Sequence, residues 1–96
     1  MNGESAPQAG PVKVAIANKR GLHARASAKF VTIASSFDAE VTVAHDGNSV
    51  TGTSIMGLMM LAAGIGETIT ISATGREADA AVAKLVGLVM DKFGED

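Results

Sequence analysis

Cysteine, tryptophan and tyrosine are absent from this chain of 96 residues, which contains only three phenylalanines and two prolines. Without cysteine there is neither a disulfide framework nor a thiolate metal site. The scarcity of aromatic rings argues against a stacking platform for single-stranded nucleic acid, and a net charge of −2 argues against a basic face for a phosphate backbone. We therefore expect one domain that folds on an aliphatic core.

A long apolar run is also missing. The longest stretch without charged residues, 47–66, contains polar residues and glycines, so its apolar part is too short to cross a bilayer. Residues 1–10 show no apolar periodicity and no secretory signal, and we expect them to form a flexible leader before a single domain at 11–96. We expect this domain to be cytoplasmic, without membrane insertion.

Hydrophobic periodicity predicts the element order βαββαβα. Alternation of apolar residues predicts strands at 12–17, 39–43 and 68–73, and a short extended run predicts another at 48–51. Asp46 and Gly47 predict a tight hairpin turn between the second and third strands. The expected fold is an α+β two-layer open-faced sandwich, with one antiparallel sheet covered on one face by helices.

Three segments show helical patterns. Residues 22–37 predict an amphipathic helix, and residues 55–63 predict a short one that begins after Ser54 and ends at Gly64 or Gly66. Residues 74–77 have the spacing of a capping box before the last helix. The apolar stripe of that helix comprises Ala78, Val82, Leu85, Val89 and Phe93.

Few residues with reactive chemistry remain. The sequence has no phosphate-binding glycine loop and no nucleophile elbow, and its two histidines are too few to predict a metal or a cofactor site. His45 lies beside the hairpin turn, and we interpret it as an exposed strand end without a role.

His23 is the more informative histidine, because it stands where a loop becomes the first helix. The first amides of a helix lack internal partners and favour an anion, and Arg25 and Arg20 add cationic donors nearby. Histidine is a poor N-cap, so its ring requires another explanation. Nucleophilic acceptance of a phosphoryl group is one interpretation, and a surface histidine without function is the other.

The segment 55–63 is apolar or glycine on every side. A domain of this size cannot bury all sides of such a short helix. Some of its large residues are expected to form an exposed patch suited to binding partners, although core packing with a small exposed surface is an alternative. The candidates are Ile55, Met56, Leu58, Met59 and Met60. Ser54 is interpreted as an N-cap, and a phosphate on it is the alternative.

Three features together resemble HPr, the family of histidine-containing phosphocarriers of the bacterial phosphoenolpyruvate-dependent phosphotransferase system. They are Gly21–Ser27 (GLHARAS), the Asp46-Gly47 turn and Thr53–Met59 (TSIMGLM). The similarity extends from Val12 to Phe93. It implies a sheet in the order 1-4-2-3 and a carrier that is not itself an enzyme.

The resemblance also implies roles for individual residues. His23 would accept a phosphoryl group at Nδ1 from phosphorylated enzyme I and pass it to an EIIA-type protein. Arg25 would balance the phosphate charge, and the amides of Ala24 and Arg25 would hold its oxygens. A regulatory HPr kinase/phosphorylase would act on Ser54. The partner-docking surface would comprise Arg20, Ile55, Met56, Leu58 and Met59.

Two positions depart from the pattern of the family. Ala26 stands where many members have proline, and Thr53 stands where lysine is common. The sequence does not separate sugar uptake from nitrogen-related regulation, and we expect a monomer. A regulatory adaptor that binds through the methionine-rich helix, or a small-ligand regulatory domain, are the competing function classes.

Overall fold

The computed structural model describes residues 6–95 and has the predicted element order. Its strands are β1 (Gln8–Ala15), β2 (Glu40–His45), β3 (Asn48–Thr51) and β4 (Thr68–Thr74). Its helices are α1 (Ala24–Ala34), α2 (Ile55–Leu61) and α3 (Ala78–Met90), and a short 3-10 turn follows at Lys92–Gly94. Within residues 6–95, no helix is long and apolar enough to span a membrane.

The four strands form one antiparallel sheet in the order β1-β4-β2-β3, as the family resemblance implies. Residues of β4 alternate between the two faces, so that Ile69, Ile71 and Ala73 are buried while Thr68 and Thr74 are exposed. One face of the sheet therefore lies on the core. The open-faced α+β sandwich predicted from the sequence is confirmed.

The core lies between this face and the helices. Phe30 of α1 and Leu85 and Val89 of α3 have no exposed surface. Full burial of an aliphatic or aromatic side chain contributes about 1.5–3 kcal/mol, so loss of one such side chain removes a substantial part of the net stability of a small domain. The predicted apolar stripe of α3 is buried throughout, but Phe93 lies beyond the end of the helix, at φ +56° in the 3-10 turn.

Two boundaries differ from prediction near the amino terminus. The strand β1 begins at Gln8, and Ala9 is buried opposite Ala73, because pairing with β4 extends further than the alternating pattern. Residues 8–10 therefore belong to the sheet, while residues 1–5 of the expected leader lie outside the described residues. The helix α1 begins at Ala24 because the Leu22 amide donates to the Ala63 carbonyl, which places Leu22 in the preceding loop.

Two helix-end predictions are wrong for local reasons. The helix α2 ends at Leu61 because Ala62, not a glycine, adopts the left-handed conformation with φ +55°. The capping box before α3 does not form, since Thr74 is the last residue of β4. Instead, Glu77 Oε1 accepts the amide N–H of Asp38 at 2.7 Å.

Candidate functional site

The loop between β1 and α1 is tightly held. The Gly21 amide donates to the Asn18 carbonyl at 3.2 Å, and Asn18 Nδ2 donates back to the Gly21 carbonyl at 2.9 Å. Gly21 has φ +61°, and a Cβ there would lie 2.4 Å from the Ala63 carbonyl oxygen. Only glycine accommodates both the dihedral angle and this approach to the α2–β4 loop.

This loop delivers His23 to the N-cap position of α1. The residue has extended backbone, with φ −73° and ψ 178°, and its side chain makes no capping hydrogen bond. The first helical bond runs from the Ser27 amide to the His23 carbonyl at 2.9 Å, so the amides of Ala24 and Arg25 precede the hydrogen-bonded ladder. His23 therefore directly precedes helix donors that favour an anion, and its side chain does not cap them.

The Nε2 atom of His23 contacts the tail that follows α3, residues 92–95. Nε2 lies 2.5 Å from Glu95 Oε2, and Asn18 Nδ2 donates to Glu95 Oε1 at 3.2 Å. The side chains of His23 and Glu95 are 15% and 22% exposed, so the contact is partly buried. It occupies Nε2 and leaves Nδ1 for other chemistry.

The pKa of Glu95 is lowered from its ordinary value. The main cause is the hydrogen bond to His23. Desolvation acts in the opposite direction, and the Asn18 hydrogen bond and the charges of His23 and Arg20 lower the pKa further. An ionised carboxylate has no proton to donate, so Glu95 is the acceptor in both of its hydrogen bonds.

Two arginines lie close to His23 in the chain. Arg20 and Arg25 are both exposed, and Arg25 takes part in none of the ion pairs found among residues 6–95. Its guanidinium is accordingly available to an incoming anion. Lys29, one turn further along α1, instead holds the tail by donating from Nζ to the Phe93 carbonyl at 2.7 Å.

The helix α2 presents an apolar surface next to this loop. Ser54 is its N-cap, as predicted, and its Oγ accepts the Gly57 amide at 2.9 Å. The Leu22 amide bonds Ala63 just after the helix, which joins the His23 loop to α2. The large exposed residues are Ile55, Met56, Met59 and Met60, at 41%, 70%, 42% and 77% exposure.

Leu58 does not belong to this surface. Its side chain is fully buried, because it faces the core between the exposed positions of α2, and it is withdrawn from the docking residues. His45 also differs from expectation, since its side chain is only 13% exposed. Its Nδ1 contacts the Thr68 carbonyl at 3.0 Å, and its Nε2 lies 3.6 Å from Glu67 Oε1. These contacts of His45 connect the end of β2 to the start of β4.

Asn18 and Glu95 join the residues predicted from the sequence, which were His23, Arg25 and the α2 surface. Asn18 resembles an ordinary strand-ending residue. Glu95 lies 72 positions from His23, where no local pattern indicates a contact. The only available signal was an acidic residue following an apolar stripe.

Comparison with known proteins gives a consistent result. The family model described as "PTS HPr component phosphorylation site" matches residues 12–91. The chain belongs to this HPr family. It is 46% identical to the phosphocarrier protein NPr of Shewanella violacea, over 86% of this chain and 91% of that protein. It is 48% identical to the phosphocarrier protein HPr of Cupriavidus necator, over 83% and 90%.

The solved structures agree with this assignment. The crystal structure of HPr-C-His from Thermoanaerobacter tengcongensis superimposes with a TM-score of 0.85 at 40% identity, covering 94% of this chain and 98% of that one. Proteins of this family are phosphocarriers of the phosphotransferase system rather than enzymes. The identification made from the GLHARAS and TSIMGLM segments is confirmed.

Proposed function

We propose that His23 is the phosphoryl acceptor, that phosphorylated enzyme I is its donor, and that an EIIA-type protein is its acceptor partner. The observation that carries this proposal is the position of the ring at the N-cap of α1, with Nε2 occupied by Glu95 and Nδ1 free of a capping bond. Nδ1 attacks phosphorus, and the bond between phosphorus and the donor breaks.

The surroundings supply the charge balance that this transfer requires. A phosphoryl group on Nδ1 carries negative oxygens, which the amides of Ala24 and Arg25 and the positive end of α1 stabilise. The exposed guanidinium of Arg25 adds a bidentate donor. These donors are already in place, so phosphorylation needs little rearrangement of the fold.

The decisive experiment is incubation with phosphoenolpyruvate and purified enzyme I. We expect one acid-labile phosphate per chain in the wild type and in His45→Ala, and none in His23→Ala. The His45 variant is the matched control because it removes the only other imidazole. Absence of label in the wild type refutes the carrier function and leaves the adaptor interpretation, while label on His45 refutes the assignment to His23.

We propose that partners dock on Ile55, Met56 and Met59, with Arg20 at the edge. Their exposure and the hydrogen bond that joins the His23 loop to the end of α2 support this assignment. Met56→Ser is expected to slow transfer from enzyme I without lowering thermal stability. Met90→Ser, which alters an equally exposed methionine on α3, is the control. Equal rates for the two variants would contradict the docking surface.

A phosphate on Ser54 would stand at the head of the same surface, and we propose that it hinders docking. The Ser54 hydroxyl already accepts the Gly57 amide, so a modifying kinase has to displace this cap. Incubation with an HPr kinase/phosphorylase and ATP tests the assignment, with Ser54→Ala as the control. Label that persists in Ser54→Ala places the modification elsewhere.

The physiological branch is the remaining part of the proposal. Relatives called NPr and HPr match to a similar degree, so both sugar uptake and nitrogen-related regulation are candidates. Transfer of labelled phosphate to purified EIIA proteins of each branch distinguishes them by relative rate. The cytoplasmic location and the monomeric state expected from the sequence stay predictions.

A further inference from the structure

We infer that Glu95 is a positioning residue for phosphoryl transfer at His23. Its carboxylate holds the imidazole through Nε2 and balances the charge of the ring when Nδ1 is phosphorylated. This inference rests on the proposed function and deepens it. The feature that carries it is a chain of hydrogen bonds from the buried Asn18 amide through the Glu95 carboxylate to the imidazole.

The chain of hydrogen bonds determines which nitrogen is nucleophilic. Ionised Glu95 only accepts, so the proton in the contact belongs to Nε2. A neutral imidazole carries a single ring proton, and its second nitrogen then has the free lone pair. With the proton on Nε2, that lone pair is on Nδ1, which belongs to the residue at the N-cap of α1 and makes no capping hydrogen bond.

Asn18 is the part of the chain that fixes Glu95. Its side chain is 1% exposed and donates from Nδ2 both to the Gly21 carbonyl and to Glu95 Oε1. The opposite amide orientation would direct Oδ1 at a carboxylate and a carbonyl, which repel it. The amide orientation is thereby determined, and it orders the carboxylate before any partner binds.

The tail is anchored so that this contact persists. Phe93 is completely buried and its carbonyl accepts Lys29 Nζ at 2.7 Å, two residues before Glu95. The Glu95 amide also bonds the Lys92 carbonyl at 2.9 Å. The carboxylate therefore extends from a fixed turn.

The chemistry of transfer explains why a carboxylate is useful there. When Nδ1 forms its bond to phosphorus, the donor keeps the electron pair of the broken bond, and the ring is substituted at both nitrogens. The ring then carries a positive charge, which the Glu95 carboxylate balances through the Nε2 proton. Transfer to the acceptor breaks the Nδ1–phosphorus bond and returns the electron pair to Nδ1. No proton has to enter or leave in either step.

The test combines ring NMR with phosphorylation kinetics in the full chain. In the unphosphorylated wild type, at a pH where the ring is neutral, we expect a protected Nε2–H correlation for His23. We expect it to be lost to exchange in Glu95→Ala. Glu95→Gln keeps the length and one acceptor but not the charge, so we expect a weakened signal. Initial rates of phosphorylation by enzyme I should fall on the order of tenfold in Glu95→Ala, and less in Glu95→Gln.

Glu67→Gln is the matched control, because Glu67 is the carboxylate beside the other histidine. It should leave both the His23 ring signal and the rate unchanged. A thermal melt of each variant separates loss of fold from loss of positioning. An unchanged His23 signal and rate in Glu95→Ala, or an equal loss in Glu67→Gln, overturns the inference alone. A wild type that accepts no phosphate overturns the proposed function as well, even if the ring signal depends on Glu95.

Discussion

Replacing Gly21 by alanine tests whether the His23 loop depends on backbone packing that only glycine permits. An L-residue at the Gly21 φ of +61° costs roughly 1–2 kcal/mol. The added Cβ would lie 2.4 Å from the Ala63 carbonyl oxygen and 3.0 Å from Gly64 Cα, so the two loops must separate. That separation stretches the Leu22–Ala63 hydrogen bond of 3.1 Å, and overpacking with a weakened bond adds about 1–3 kcal/mol.

Together these effects predict that Gly21→Ala lowers the free energy of unfolding by roughly 2–5 kcal/mol. This is a large share of the about 5–15 kcal/mol that stabilises a typical domain. Gly47→Ala is the matched control, because Gly47 has φ +83° in the hairpin turn and a Cβ there meets nothing within 4 Å. Thermal unfolding followed by circular dichroism should show a drop of roughly 10 °C or more in Gly21→Ala, and about half of that or less in Gly47→Ala. Equal drops in the two variants would refute the packing argument, since both share the dihedral cost.

Three further predictions test other parts of the fold. Phe93→Ala removes a completely buried ring and should lower the free energy of unfolding by about 3–5 kcal/mol in denaturant titrations, more than Phe37→Ala at a half-buried ring. Ser54→Ala removes the acceptor for the Gly57 amide and should lower the free energy of unfolding by about 1 kcal/mol. Ser54→Asp keeps an acceptor, so the same titrations should show a smaller decrease. The folded-state pKa of Glu95 is depressed, so its ionised form contributes stability above the ordinary pKa, and this is lost as the pH falls through the folded-state pKa. The wild type should therefore be more stable than Glu95→Gln at neutral pH, and this difference should disappear on acidification. A difference that persists in acid would contradict a stabilising role for the ionised Glu95.

The parts of the molecule that were predicted from the sequence depend on local patterns. Alternation of period two located β1, β2 and β4, and helical spacing located α1 and α3, because each pattern indicates which side of an element is buried. The position of His23 at the head of a helix is likewise contained within one short motif. Leu58 was misplaced for the opposite reason: a helix that is apolar all round does not reveal which side its neighbours cover.

Glu95 was not predicted because tertiary packing, and not the local helical preference of residues 92–93, determines the path of the tail. Lys92 and Phe93 both have positive φ, which costs an L-residue roughly 1–2 kcal/mol, so a local reading continues the helix through them. Burial of the Phe93 ring is worth up to about 3 kcal/mol, and the Lys29 bond to its carbonyl adds to this, so the turn forms despite the strain. The turn brings residue 95 back to the head of α1. A carboxylate at His23 is thus a consequence of where a phenylalanine fits in the core, which is visible only once the core is assembled.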